Sequence, residues 1–222
     1  MSLRTATPKA AHTAAEGEGT PVSATPTLLL IPGLRDEAPG HWQSILAGQW
    51  PGAVSLPALG RKNIDLAARL VQIEAAVQAI EGPVVLVAHS GGAIATVHWA
   101  QRTRAAIHGA LLATPPLFAG PLGPEFPELA EFQRHGWSPV PRSPLPFRSI
   151  VAASRNDPLG SYEGVSELAR DWDARVFDLG HSGHLNPASG FGPWPTALDL
   201  VRELAGEVSI PRINSGAERC AA

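Results

Sequence analysis

Between Thr27 and Leu204 the chain alternates short apolar runs rich in β-branched residues with longer stretches of helical period. The apolar runs predict strands over Thr27–Ile31, Val84–Ala88, Gly109–Ala113, Ser149–Ala153 and Arg175–Leu179, with a weaker one over Ala53–Leu56. The periodic stretches predict helices over His41–Gln49, Asp65–Ile80, Gly91–Arg104, Ser161–Trp172 and Thr196–Leu204. Asp65–Ile80 has the clearest pattern, with Leu66, Leu70, Val71, Ile73, Val77 and Ile80 on one stripe and Gly82-Pro83 to stop it. Strand–helix alternation with nearly continuous apolar strands predicts a mostly parallel sheet of about six strands, covered by helices on both faces. The proline-rich segment from Leu117 to Pro146, with a short helix around Glu128–Arg134, is the only room for a lid. Its composition predicts a rigid flap and no large cap domain.

The 222 residues suit one domain, expected over 26–208. Residues 1–25, rich in Ala, Thr, Pro, Gly and Glu, read as a disordered extension. They lack the apolar centre of a secretory signal, and Glu16 and Glu18 argue against a transit peptide. Residues 209–222 read as a flexible tail. A formal charge of −3 and a pI near 6.2 give no electrostatic reason to expect nucleic acid or an anionic membrane as partner. No run approaches the roughly 18 apolar residues of a spanning helix. The single cysteine, Cys220, excludes an internal disulfide framework, so a reducing cytoplasm is the expected compartment.

Candidate chemistry begins at Val84–Ile94, VVLVAHSGGAI. An apolar strand, a serine among small residues and the start of a helix form the layout of a nucleophile elbow. Ala88 stands at the first glycine position of G-x-S-x-G and Gly92 at the last. On its own the segment also fits an ordinary strand, turn and helix. A serine of this kind needs an acid and then a histidine later in the chain, each just past a strand end. Asp157 follows the strand at Ser149–Ala153, and both His181 and His184 follow the strand at Arg175–Leu179. Developing charge on a substrate oxygen would need fixed donors. The Gly91 N–H and, from the loop after the first strand, the Leu34 N–H are the candidates.

At these residues the chain resembles the small α/β-hydrolases grouped with retinoblastoma-binding protein 9 and the YdeN-type proteins. LLLIPGL followed by GHWQS, VAHSGG, GALLATPP, PLPFRSIVAASRNDP and above all GHLNPASGFGPWP carry the likeness, from about Thr27 to Leu204. The resemblance implies a three-layer α/β-hydrolase fold with Ser90 as nucleophile, Asp157 as acid and His184, in preference to His181, as base. The stretch ALGRKNIDL departs from many relatives, which carry tryptophan and acidic residues there. His41 and Trp42 are expected to border the acyl pocket, although a capped helix face explains them equally well.

The other histidines show no metal-ligand spacing, and neither common phosphate-binding glycine loop is present, so no metal and no cofactor are expected. The expectation is a serine hydrolase that cleaves a small carboxylic ester, amide or thioester through an acyl-Ser90 intermediate. The alternatives are a hydrolase-fold module that engages a protein partner with weak or no catalysis, and a cofactor-free haloperoxidase or C–C hydrolase using the same three residues.

Overall fold

The computed structural model of the chain describes residues 25–34, 40–59, 63–120 and 122–206. The expected extension over 1–25, save its last residue, and the expected tail over 209–222 lie outside them. Six strands, β1 (Thr27–Ile31), β2 (Val54–Ser55), β3 (Val84–His89), β4 (Gly109–Ala113), β5 (Ser149–Ala153) and β6 (Arg175–Asp178), form one sheet. Their order is β2-β1-β3-β4-β5-β6 and every pairing is parallel. The helices are α1 (Trp42–Gln49), α2 (Leu66–Ala79), α3 (Gly91–Ala100), α4 (Leu129–Arg134), α5 (Tyr162–Asp171) and α6 (Pro195–Leu204).

Alternation along β3 divides the core in two. Val84, Leu86 and Ala88 point into one cluster, where Ile73, Val97, Phe132, Trp137 and Trp172 also lie. Val85 and Val87 point into the other, with Trp42, Leu46, Trp194, Leu200 and Val201. Both faces of the strand are buried, which is why its sequence is uniformly apolar. α2, α3, α5 and the flap cover the first face, and α1 and α6 cover the second. Asp65 and Ser161 cap α2 and α5 by accepting the N–H groups of Ala68 and Gly164.

The flap is pinned by tryptophans. Trp137 Nε1–H donates to the Ile64 carbonyl at 2.7 Å, and Trp172 Nε1–H donates to the Pro141 carbonyl at 2.8 Å. His98 Nε2–H donates to the Trp137 carbonyl at 3.1 Å. With one six-residue helix, α4, the segment is a flap and not a cap domain.

Two local expectations are corrected. α3 ends at Ala100 and not at Arg104, because Gln101 and Arg102 leave the core and the Thr103 hydroxyl instead accepts the Ala105 N–H. Val71 is 68% exposed, turned away from the stripe that buries Ile73 and Val77. Arg69 takes the buried side, its guanidinium donating to the Pro57 carbonyl, and burial pushes its pKa down to about 10.

After β1 the chain passes to β2 on one side, while β3 lies on the other. The crevice outside the carboxyl ends of β1 and β3 is thus the topological switch point, where open parallel sheets bind ligands.

Candidate active site

Ser90 stands at that switch point, between the end of β3 and the start of α3, with φ 54° and ψ −124°. A non-glycine residue held there stores strain of about 1–3 kcal/mol. The turn is fixed from both sides: the Ser90 N–H donates to the Ala113 carbonyl and the Ser90 carbonyl accepts the Ala93 N–H, each at 2.9 Å. Gly92 is required because a Cβ there would collide with the carbonyl oxygens of Ile31 and Pro32. Ala88 pairs within the sheet at this point, fully buried, so its methyl group is accommodated in the place where G-x-S-x-G has glycine.

The loops after β5 and β6 bring the other two residues to the serine. His184 Nε2 lies 2.7 Å from Ser90 Oγ, and His184 Nδ1 lies 2.8 and 3.0 Å from the two carboxylate oxygens of Asp157. Both side chains are almost fully buried, 6% and 1% exposed. The second carboxylate contact of Asp157 is the Leu159 N–H, which donates to it at 2.9 Å. His181 is exposed and takes no part in this line. Asp178 is held instead by Arg155, whose Nε–H and Nη2–H both donate to it, and this pairing keeps the Asp178 carboxyl below its ordinary pKa.

Other residues, which the sequence did not single out, hold the two loops together. Asn156 Oδ1 accepts the Gly183 N–H at 2.7 Å and the Ser154 hydroxyl at 3.0 Å. The Ser189 hydroxyl accepts the His184 N–H at 3.1 Å, and the Asn186 carboxamide oxygen accepts the Ser189 N–H at 2.8 Å. Polar residues just past strand ends were the available signal, but their partners are set by the meeting of two distant loops.

The loop after β1 passes close over the serine. A Cβ on Gly33 would lie 3.2 Å from Ser90 Cβ, and one on Gly91 would lie 2.8 Å from Leu34 Cγ. Gly91 opens α3, so its N–H has no acceptor within the helix. The Leu34 side chain therefore packs against Gly91 beside the elbow; these are the two residues expected to supply the donors.

A cleft of about 280 Å³ opens at Ser90, bordered by Leu34, His41, Gln43, Phe126, Leu159 and Asn186 among others. His41 lies on it. Trp42 does not, which corrects its assignment to the pocket. It is 1% exposed and packs edge-on against Trp194 at 4.9 Å, because α1 turns position 42 into the second core cluster.

Three imidazole rings form a row, His41 to His89 at 4.9 Å and His89 to His184 at 5.2 Å. His89 Nε2–H donates to the His184 carbonyl at 2.9 Å, and burial, with the neighbouring rings, pushes the His89 pKa well below its ordinary value. Burial and then the proximity of His184 push His41 down to about 4. Both are neutral near pH 7. Among the described residues no cluster of metal-ligating side chains occurs.

A parallel α/β sheet with an elbow serine, a histidine and an aspartate in hydrogen-bonding line defines the α/β-hydrolase class. Residues 28–203 match the serine hydrolase family model, and the chain belongs to that family. It is a serine hydrolase of the YdeN type. It is similar to a YdeN-like hydrolase of Pectobacterium atrosepticum, with 30% identity and a TM-score of 0.71 over 84% of this chain and 94% of that one. The ydeN product of Bacillus subtilis shares the fold at 21% identity and a TM-score of 0.63, over 82% of this chain and all of that one. Est1E of Butyrivibrio proteoclasticus shares it at 13% identity and a TM-score of 0.59, over 84% and 88%. No curated protein matches the sequence significantly. Among the described residues no helix is long and apolar enough to cross a membrane.

Proposed function

We propose that this serine hydrolase cleaves small carboxylic esters through an acyl-Ser90 intermediate, with His184 as general base and acid and Asp157 as its orienting partner. The observation that carries the reading is the continuous line from Ser90 Oγ through His184 Nε2 and Nδ1 to the Asp157 carboxylate, each step within 3.0 Å. Ser90 Oγ attacks the ester carbonyl carbon while its proton passes to His184 Nε2. The carbonyl oxygen takes the negative charge beside the N–H groups of Leu34 and Gly91. The bond from carbon to the leaving oxygen then breaks, and that oxygen leaves as an alcohol with the proton from His184. Water repeats the sequence, giving its proton to His184 and its oxygen to the acyl carbon. The carboxylic acid departs and Ser90 regains its proton. Asp157 holds the tautomer that carries its proton on Nδ1 and stabilises the imidazolium. Thioesters and activated amides are acyl donors to the same chemistry.

A cleft of about 280 Å³ is at the small end of ligand sites, which supports a small substrate. The test is a fluorophosphonate together with a series of p-nitrophenyl esters of graded acyl length. One label per chain and turnover of the short esters are expected, both abolished in Ser90→Ala. Labelling of Ser90→Ala at the wild-type level would move the nucleophile elsewhere, and folded protein without labelling or turnover would favour a binding module.

A further inference from the structure

The two walls of the cleft come from opposite faces of the sheet and differ in chemistry. Phe126 and Leu34 pack with the first core cluster, on the flap side, and with Leu159 they form a largely apolar wall that also carries Glu125. α1 packs into the second cluster, and its first turn presents His41 and Gln43 to the cleft. His41 Nδ1 accepts the Gln43 backbone N–H at 3.2 Å, which fixes the neutral tautomer with its proton on Nε2. The Gln43 carboxamide nitrogen donates to the Val87 carbonyl at 3.0 Å and to the Ile31 carbonyl at 3.3 Å, so its oxygen is the atom left to accept. Among the described residues neither His41 Nε2 nor Gln43 Oε1 has a partner, and neither is sealed from the cleft. One donor and one acceptor, both held by backbone groups, therefore border the cleft on this wall.

The carbon attacked by Ser90 has three other substituents, and the site distributes them. Its oxygen goes to Leu34 and Gly91. The leaving oxygen must reach His184 Nε2, and His184 enters from the second face, with Leu185 in that cluster and its own carbonyl held by His89. The acyl chain takes the remaining direction, along the flap wall. We infer that the α1 wall is a leaving-group subsite for a polyhydroxylated alcohol, whose hydroxyl groups accept from His41 and donate to Gln43. The preferred substrate is then a short apolar acyl group on a polyol. Burial, which keeps His41 neutral near pH 7, maintains the donor–acceptor pattern.

This rests on the ester-hydrolase reading above, and one set of substrates separates the two. We compare 1-glyceryl butyrate, butyl butyrate and p-nitrophenyl butyrate, which share one acyl group. A neutral hydrogen bond changes kcat/KM by about 3- to 10-fold, so two give glyceryl butyrate an advantage of about 10- to 100-fold over butyl butyrate. His41→Asp keeps an N-cap acceptor but carries no donor, and should cut that ratio by about 3- to 10-fold. Equal kcat/KM for the glyceryl and butyl esters overturns the inference, as does a ratio that His41→Asp leaves in place. In either case turnover of p-nitrophenyl butyrate keeps the hydrolase reading intact. Loss of turnover on all three esters overturns the ester reading and the subsite with it.

Discussion

The His89 Nε2–H donates to the His184 carbonyl at 2.9 Å, so the residue just before the elbow serine holds the backbone of the histidine that contacts that serine. The two are 95 positions apart, and β3 and the loop after β6 meet only through the fold. His89→Phe would keep a ring in the core but leave a buried carbonyl without its donor, at a cost of about 1–3 kcal/mol. With the His184 backbone free to shift, kcat should fall about 10²-fold, as a misplacement near 1 Å commonly produces. His89→Gln retains an N–H and should recover part of that loss. Steady-state kinetics on a short p-nitrophenyl ester would check this. Equal activities for the two variants would mean the contact does not position His184.

The two histidines of the β6 loop should separate cleanly. His184→Ala removes the proposed base and should lower kcat by several orders of magnitude, on the scale of the ~10⁶ seen when a comparable histidine is lost. His181 is exposed, and His181→Ala should change kcat less than about twofold. Rates measured on protein of matched Tm decide the point, and the reverse ranking would assign the base to His181.

The sheet was legible because its strands are buried on both faces, so Val84–Ala88 and Gly109–Ala113 read as unbroken apolar runs needing no knowledge of their neighbours. Ser90 and Asp157 were legible from chain order and from their places just beyond strand ends, the GHLNPASG likeness chose His184 over His181, and the fold brings the three into contact. What pattern cannot carry is where a side chain points once helices dock. Trp42 and His41 are adjacent, yet α1 sends one into the core and leaves the other at the cleft. Val71 matched the apolar stripe of α2 by type and missed it by angle, while Arg69 is buried by a partner twelve positions away. Gln43 had no local signal, since its amide meets the ends of β1 and β3.

Asp157 lies in the loop after β5 and Asp178 closes the neighbouring strand β6, but only Asp157 reaches His184. Asp157→Asn should preserve the fold and cut kcat by about 10⁴, because an amide stabilises the wrong imidazole tautomer. Asp178→Asn breaks a surface pairing with Arg155, whose side chain is 51% exposed. It should leave stability nearly unchanged and kcat within about threefold. A pre-steady-state burst assay on both variants would test the contrast. Near-wild-type acylation by Asp157→Asn would show that another group orients His184.

Stability should fall on mild acidification. In the unfolded chain a histidine titrates near ~6.5. In the folded protein burial holds His89 well below that, His41 at about 4, and His98 lower than usual. Between those folded values and pH ~6.5 the unfolded state binds more protons than the native one. The contribution is therefore fully present above pH ~6.5 and is lost as pH falls towards the folded values. Each fully shielded histidine contributes at most about 1.4 kcal/mol per pH unit. His89, fully enclosed, should account for the largest share of the loss between pH 7 and pH 5, while His41 and His98 add less because water reaches them. Urea unfolding at pH 7, 6 and 5 measures the slope. His89→Gln should flatten it by about one proton, and parallel slopes for variant and wild type would rule out a neutral, buried His89 as its source.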